Sequence, residues 1–342
     1  MKISILIPAH NEERSIKATV ESCLNQTRPA DQILVVNDGS TDKTGEILAT
    51  FGKKIEVITI PIATGNKSYA QEHGLKFVKG DVFIATDGDT ILDPKFVEMI
   101  EPHFNDKSVG AVAGYVKSLK NNWLTACREI DYCIGQDLHK VAQSNMNFLF
   151  VIPGCAGGFR TKTFRELIKF EHDTLTEDLD FTYKMHTDYT NIRYENKAYV
   201  YTQDPFTLYS YINQIRRWYS GGWQNLKKHL PNVIGRPLVA MELSLMYIEG
   251  IVFSILLFIM PFLSISFFGY YLLFNLFFVM AISTYAGVKR NRMDLILYSP
   301  LYMILIFVNA LIFFEQFTSE IVIGRKLDIW FKPERSKETL AQ

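Results

Sequence analysis

From residue 238 to 323 the chain is dominated by Leu, Ile, Phe, Val, Met and Tyr. Roughly 20 consecutive apolar residues are what a helix needs to cross a bilayer. Three stretches approach that length: Leu238–Met260, Phe262–Ala286 after Pro261, and Leu295–Phe314, the last reaching about residue 316. The first two are separated only by Pro261 and a very short connection, and they read as a hairpin. Glu242 and Glu249 fall inside the first, and carboxylates at such depth are costly unless they face protein or water. Lys227, Lys228 and Arg236 precede the hairpin, while Lys289, Arg290 and Arg292 follow it. The positive-inside rule places both of its ends in the cytosol. A third full crossing would carry Arg325, Lys326, Lys332 and Arg335 outward, against that rule. The third stretch is therefore a crossing with a misread boundary, or it is re-entrant or interfacial.

The average over all 342 residues, 48% hydrophobic, hides this asymmetry, because residues 1–237 read as soluble. Net charge is +0, which argues against nucleic acid or a bulk acidic partner. Cys23, Cys127, Cys133 and Cys155 show neither zinc spacing nor a CxxC pair. Reduced, buried thiols fit a catalytic part facing the cytosol. Met1-Lys2 runs straight into an apolar stretch that ends at Pro8, too short for a signal peptide.

The first hundred residues alternate strand and helix. Ile3–Ile7, Gln32–Val36, Ile55–Ile60 and Val82–Thr86 read as strands, with helices through Ile16, Val20 and Leu24, through Ile47 and Leu48, over 66–79, and after Asp93-Pro94. This βαβα rhythm predicts a mostly parallel sheet with helices on both faces. Such sheets bind ligands beyond the carboxyl ends of their strands. Pro8-Ala9-His10, Asn37-Asp38 and Asp87-Gly88-Asp89 all sit at such ends. Residues 123–145 read as a helix, Pro153–Arg160 as a glycine-rich loop, 177–187 as a helix, and 206–229 as an amphipathic one.

Asp87 and Asp89 flank Gly88 in a turn where two carboxylates can share a hard cation such as Mg²⁺ or Mn²⁺, and that cation can neutralise a diphosphate leaving group. The same triplet is also an ordinary solvated turn. Thr176-Glu177-Asp178 supplies a helix cap, and it also supplies a carboxylate fixed well enough to act as a general base. In Gln214-x-x-Arg217-Trp218 the arginine can pair with phosphate and the indole can stack on a sugar. An interfacial helix would place the same side chains at headgroup level. Asn37-Asp38 can hold a base or ribose or can simply make a turn, and Lys67 can reach a phosphate or sit on the surface. The seven histidines lack metal-ligand spacing. Gly-x-Ser-x-Gly, P-loop and GxGxxG patterns are missing, which argues against hydrolase, ATPase and dinucleotide chemistry.

Taken in order, these clusters resemble those of membrane-integrated family 2 glycosyltransferases, the group of cellulose, hyaluronan and poly-N-acetylglucosamine synthases. The likeness rests on Ile7–Glu12, Asn37–Asp42, Gly65–Lys67, Asp87-x-Asp89, Gly154–Arg160, Thr176–Asp178 and Gln214-x-x-Arg217-Trp218, and it covers residues 1–230. It implies a GT-A (Rossmann-like) catalytic domain over 1–204, an interface helix over 205–237, a small transmembrane domain over 238–323 and a basic tail over 324–342. It implies metal-dependent, inverting transfer from a UDP- or GDP-sugar. Ala9, Glu12, Asp38 and Lys67 would hold the nucleotide, and Asp87 and Asp89 the donor and its metal. Asp178 would be the base, and Gln214, Arg217 and Trp218 would contact diphosphate and acceptor, with Gly157 and Glu177 also on the acceptor side. The expected location is the cell membrane, multi-pass, with the catalytic domain cytosolic. Exporting synthases carry more helices than this sequence shows, some ahead of the catalytic domain. The expected acceptor is therefore a lipid-linked glycan or glycolipid. The alternatives are a processive polysaccharide synthase that exports through a homo-oligomer, and an inactive membrane-anchored scaffold.

Overall fold

The computed structural model describes residues 1–120, 122–187, 191–233, 237–328 and 331. The side chain of Glu242 and the tail residues Lys332 and Arg335, all named above, lie outside the described residues, as does Arg236. The chain packs as two compact units. Among the described residues the first comprises Met1–Lys117 and His139–Gln203, and the second Ser118–Leu138 and the described part of Asp204–Arg335.

The first unit is a mixed α/β structure. Its elements run β1 (Ile3–Ala9), α1 (Ile16–Leu24), β2 (Gln32–Asp38), α2 (Thr44–Ala49), β3 (Glu56–Ile60), α3 (Lys67–Leu75), β4 (Val82–Ala85), β5 (Thr90–Leu92), α4 (Phe96–Ile100) and β6 (Val109–Ser118). After α5 (Trp123–Ile134), which belongs to the second unit, come α6 (Lys140–Asn145), β7 (Gly157–Arg160), a single turn α7 (Thr161–Thr163), α8 (Glu177–Thr187) and β8 (Asn191–Thr202). The eight strands form one sheet in the order β3-β2-β1-β4-β7-β6-β8-β5.

The β3-β2-β1-β4 half is parallel, as the βα rhythm predicts. Every residue of β1, β2 and β4 is buried, the pattern of strands covered on both faces. The other half is not parallel. β7 runs antiparallel to β4 and β6, and β5 antiparallel to β8, so the sheet is mixed rather than mostly parallel. Part of the predicted glycine-rich loop is in fact strand β7. A Cβ on Gly157 would lie 2.6 Å from the Phe159 ring, and one on Gly158 would lie 2.8 Å from Ile100. These glycines leave room for neighbouring side chains in a packed strand.

An aromatic cluster ties three elements together. Phe159 on β7 lies 5.2 Å from Phe83 on β4 and 5.1 Å from Phe181 on α8, centroid to centroid. Phe164 packs edge-on against Phe83 at 5.2 Å. Rings at these separations contribute beyond their buried area. The cluster fixes β4, β7 and α8 relative to one another.

The second unit contains α5 and four further helices: α9 (Leu208–Val233), α10 (Pro237–Leu263), α11 (Ile265–Arg290) and α12 (Ser299–Phe317). Pro261 lies inside α10, one turn before its end, and the hairpin turns instead at Ser264, whose side chain caps α11 by accepting from the Phe267 amide at 3.3 Å. α11 also runs past the predicted end at 286, to Arg290, where Asn291 closes it in the left-handed conformation. Among the described residues, three stretches are long and apolar enough to cross a membrane: Leu243–Leu263, Ile265–Arg290 and Met293–Ile323. A core of Leu124, Cys127 and Ile130 from α5, Tyr211 and Ile215 from α9, and Leu305 and Ile312 from α12 holds the unit together.

Candidate active site

In the first unit the predicted positions gather at the carboxyl ends of β1, β2 and β4. The parallel register sets Ala9 beside Asn37, so the chain leaves both strands at the same level. Asp38, which ends β2, is buried. Its carboxylate accepts from the Thr64 amide at 2.9 Å and the Thr64 hydroxyl at 2.7 Å, which ties β2 to the loop leading into α3. Gly39 follows at φ +58°, and a Cβ there would lie 2.2 Å from the Ala63 nitrogen. Only glycine fits. Beyond β1, Asn11 takes a left-handed conformation (φ 52°) and accepts from the Thr41 amide at 2.8 Å. Glu12 is set by its amide, which donates to the Thr44 hydroxyl at 2.8 Å, and its carboxylate accepts from Ser15 at 2.9 Å.

Lys67 opens α3, behind an Asn66 cap that accepts from the Ser68 amide at 3.1 Å. Its ammonium lies 2.5 Å from an Asp87 oxygen and 3.4 Å from a Glu177 oxygen. One cation thus bridges the strand-end aspartate and the threonine-glutamate-aspartate cluster, which are 90 residues apart in sequence. Burial by itself pulls the Lys67 ammonium down, but Asp87 and Glu177 outweigh it and hold the group charged well above the ordinary lysine range.

Gly154 completes the floor. A Cβ on it would meet the Lys67 ammonium at 3.1 Å, Glu177 Oε1 at 3.6 Å and the Asp178 Cβ at 3.6 Å. The loop is anchored there because the Ile152 amide donates to Thr182 on α8 at 3.0 Å. Asp178 Oδ1 accepts from the Leu179 amide at 2.9 Å, in the first turn of α8, where the helix dipole favours an anion. Asp89 is 2% exposed. Gly88 lets the turn close on β1, since a Cβ there would sit 3.3 Å from the Pro8 carbonyl. Gly157 lies within the sheet, paired with Ala85 and Ala113.

Two further residues share this neighbourhood: Cys155, within the glycine-rich stretch, and Lys140, which no motif marks. Burial pushes the Cys155 thiol well above the ordinary range, with Asp87 adding to the effect, so it stays protonated and inert as a nucleophile. Lys140, the first residue of α6, is buried. Its ammonium has no hydrogen-bond partner among the described residues and lies 5.8 Å over the Tyr194 ring. Desolvation brings it down to about 8, although Cys155 and Asp178 pull the other way.

The carboxylate pair fits a hard divalent cation. Asp87 and Asp89 offer oxygen donors at one tight turn, and Lys67 against Asp87 shows that positive charge is stabilised there. A second acidic group, Glu171, Asp173 and Asp180, also has ligand-like spacing. There the Lys184 ammonium already sits 2.9 Å from Glu171 and 2.8 Å from Asp180.

Gln214, Arg217 and Trp218 lie on α9 in the second unit. The Trp218 ring rests on the buried guanidinium of Arg128 from α5, at 5.0 Å. That guanidinium also lies 4.5 Å over Tyr132, and it pairs with Asp131 at 2.5 Å and Asp204 at 3.5 Å. Burial alone would lower Arg128, but Tyr132 and Asp204 hold it charged. The sequence gives no sign of this post beneath Trp218, because a lone arginine on a helix carries no motif.

Comparison with known proteins agrees with this architecture. The chain is similar to the probable glycosyltransferase YdaM of Bacillus subtilis (strain 168), with 30% identity over 239 residues, 67% of this chain and 57% of that protein. It is similar to a poly-β-1,6-N-acetyl-D-glucosamine synthase of Staphylococcus epidermidis, with 28% identity over 228 residues, 66% of this chain and 55% of that one. It thus spans little more than half the length of these curated relatives. Among solved structures, a mannosyltransferase from Pyrobaculum calidifontis in complex with GDP-Man and Mn²⁺ shares the fold, with a TM-score of 0.64 at 16% identity over 89% of this chain and 87% of that one. Residues 4–165 match Glycosyl transferase family 2, and the chain therefore carries a family 2 glycosyltransferase domain, built on a GT-A-like mixed sheet and followed by apolar helices.

Proposed function

We propose that the protein transfers a sugar, with inversion, from a nucleotide-diphosphate sugar to a hydroxyl of an acceptor held at the membrane. One observation carries the reading: Lys67 bridges Asp87 and Glu177 above Gly154, so that a phosphate-seeking cation, a metal-type carboxylate and the start of α8 share one site. Asp38 and the β1–α1 turn with Glu12 hold the nucleoside, and Lys67 the diphosphate. Asp87 and Asp89 hold Mg²⁺ or Mn²⁺, which supplies charge neutralisation to the leaving diphosphate. The presence of Mn²⁺ and GDP-Man in the Pyrobaculum structure supports this donor and metal class. Asp178 accepts the proton of the acceptor hydroxyl as its oxygen attacks the anomeric carbon. Its place in the first turn of α8, where the Leu179 amide donates to it, holds the carboxylate fixed. Gln214, Arg217 and Trp218 contact diphosphate and acceptor, with the Arg128 guanidinium 5.0 Å from the Trp218 ring supporting it.

We take the acceptor to be lipid-borne, because apolar helices follow α9 directly and hold the acceptor strip at a bilayer. The processive reading keeps its place because a relative is a poly-β-1,6-N-acetyl-D-glucosamine synthase. Purified protein incubated with radiolabelled UDP- and GDP-sugars, with and without polyprenyl or glycolipid acceptors, separates the two. Label in lipid extracts supports the first reading, and long water-soluble polymer formed without lipid acceptor refutes it. Asp178→Asn should abolish turnover while donor binding persists; turnover at the wild-type rate would remove Asp178 from the mechanism.

A further inference from the structure

Hydropathy alone allows three crossings, and the charge distribution objects to the third. The packing inside the second unit decides between them. α9 and α12 run side by side in the same direction. Tyr211 donates to Asn309 at 2.9 Å and Arg216 to Glu315 at 3.1 Å. Ser220 donates to Glu320, and Gln224 to Glu320 at 2.9 Å and to the Leu327 carbonyl at 3.0 Å. Each step along α9 is matched by a similar step along α12, so the pairing is parallel. The rings of Tyr219 and Trp223 pack on Phe313, both at 5.2 Å, and fill the seam.

A helix locked to its neighbour in this way cannot cross a bilayer alone. If α12 crossed, α9 would have to cross with it, taking Arg216, Arg217, Gln224 and Asn225 into hydrocarbon. Each arginine there costs about 2.5–3.5 kcal/mol even on the mildest scale. α12 also begins and ends on one side. α10 and α11 turn back at Ser264, and Arg290 at the close of α11 pairs with Glu129 of α5 at 2.5 Å. The first turns of α12 meet the same helix, through Tyr302 and Asp131 at 3.4 Å. Its last turns reach α9, the helix directly before α10. It crosses α10 and does not run along it: Ser254 donates to the Ala310 carbonyl at 3.0 Å, and Tyr247 and Phe258, three turns apart on α10, meet the adjacent Phe313 and Phe314 of α12, each at 6.2 Å between ring centroids. The surface of α12 is two-sided. Leu301, Ile304 and Leu311, in line with Leu297 just before the helix, form an exposed stripe at helical spacing, while Tyr302, Leu305 and Ile312 are buried.

We propose that α10 and α11 alone cross the bilayer, and that α9 and α12 lie together in the headgroup–acyl boundary, the exposed stripe of α12 meeting lipid. Leu327 and Asp328 then lie on the same side of the membrane as α9. This reading does not depend on the transfer chemistry. It also places Arg325 and Lys326 with Lys227, Lys228, Lys289 and Arg290, as the positive-inside rule asks.

Cysteine reporters in the full chain test it: Leu263→Cys at the hairpin tip, Lys289→Cys and Asp328→Cys, treated with a membrane-impermeant maleimide before and after permeabilisation. Leu263 is 77% exposed, the Asp328 side chain is 74% exposed, and Lys289 is exposed, so each is open to reagent or lies at a membrane face. The unaltered chain, with its own four cysteines, sets the baseline. Positions 289 and 328 should label together and 263 from the opposite side, whichever way the protein is inserted. Labelling of 328 together with 263, or of all three from one side, overturns the proposal. A C-terminal epitope tag on the otherwise unaltered chain gives an independent readout. It should share the protease protection of position 289, and opposite protection overturns the proposal without relying on any cysteine variant.

Discussion

Replacing Lys140 with methionine should stabilise the first unit, and the gain should depend on pH. The ammonium falls from 10.5 to about 8, chiefly because burial strips its water. At ~1.4 kcal/mol for each pH unit, keeping it protonated in the fold costs about 3 kcal/mol. A lysine whose folded value lies below its unfolded one loses stability wherever the native state must carry the proton. The full cost is present below pH 8, shrinks as pH rises towards 10.5, and is gone above it. Lys140→Met keeps the chain length and removes the charge, at the loss of a long 5.8 Å contact over Tyr194. For a unit of this size about 3 kcal/mol corresponds to a rise in Tm of roughly 6–12 °C. Thermal melts of the detergent-solubilised full chain and the variant at pH 7 and pH 10 measure the gain, and their difference cancels the titration of other groups. A variant no more stable than wild type at pH 7, or an advantage undiminished at pH 10, would refute the claim that Lys140 is a buried, uncompensated cation.

Phe159→Ala removes the ring shared by β4, β7 and α8 and should cost ~3–5 kcal/mol; a chemical melt reads the loss, and turnover should fall in protein that remains folded because Asp87 and Asp178 lose their common support. Gly39→Ala meets both a positive φ and the Ala63 backbone, whereas Gly52→Ala meets only the positive φ (+56°), with nothing within 4 Å. The second should cost about 1 kcal/mol and the first clearly more, and equal losses in paired melts would show that the Ala63 contact relaxes. Lys67→Met leaves Asp87 and Glu177 without the cation between them, so donor KM should rise more than kcat falls, as steady-state kinetics would show; an unchanged KM would place the diphosphate elsewhere.

The parallel half of the sheet could be read from sequence because each of its strands is an unbroken apolar run that ends in a polar cluster, and register then forces those clusters to one edge. Lys67, Asp87 and Glu177 were each named for their chemistry, yet only the fold shows them sharing one ion-pair network. The antiparallel half was harder. Gly157-Gly158 has a loop's composition but forms a strand, because the side chains filling its missing Cβ positions include Ile100 and Phe104, far away in sequence. Lys140 and Arg128 were invisible for a related reason: a single basic residue acquires meaning only from what buries it.

α11 and α12 show the same limit from the other direction. Both are long and apolar enough to cross a membrane, and composition alone treats both as crossings. What differs is the company they keep. Within the structure the stretch through α11 is 6% buried, against 33% for the one through α12, and polar bonds tie α9 to Asn309 and Glu315 on α12 and to Glu320 and Leu327 just beyond it. Lipid can solvate the exposed side of either helix, but it cannot supply partners for Asn309, Glu315 and Glu320. Asn309 and Glu315, with Glu320 just beyond the helix, make α12 part of the platform that carries Gln214, Arg217 and Trp218, so a change in this seam should disturb the positions of those three side chains.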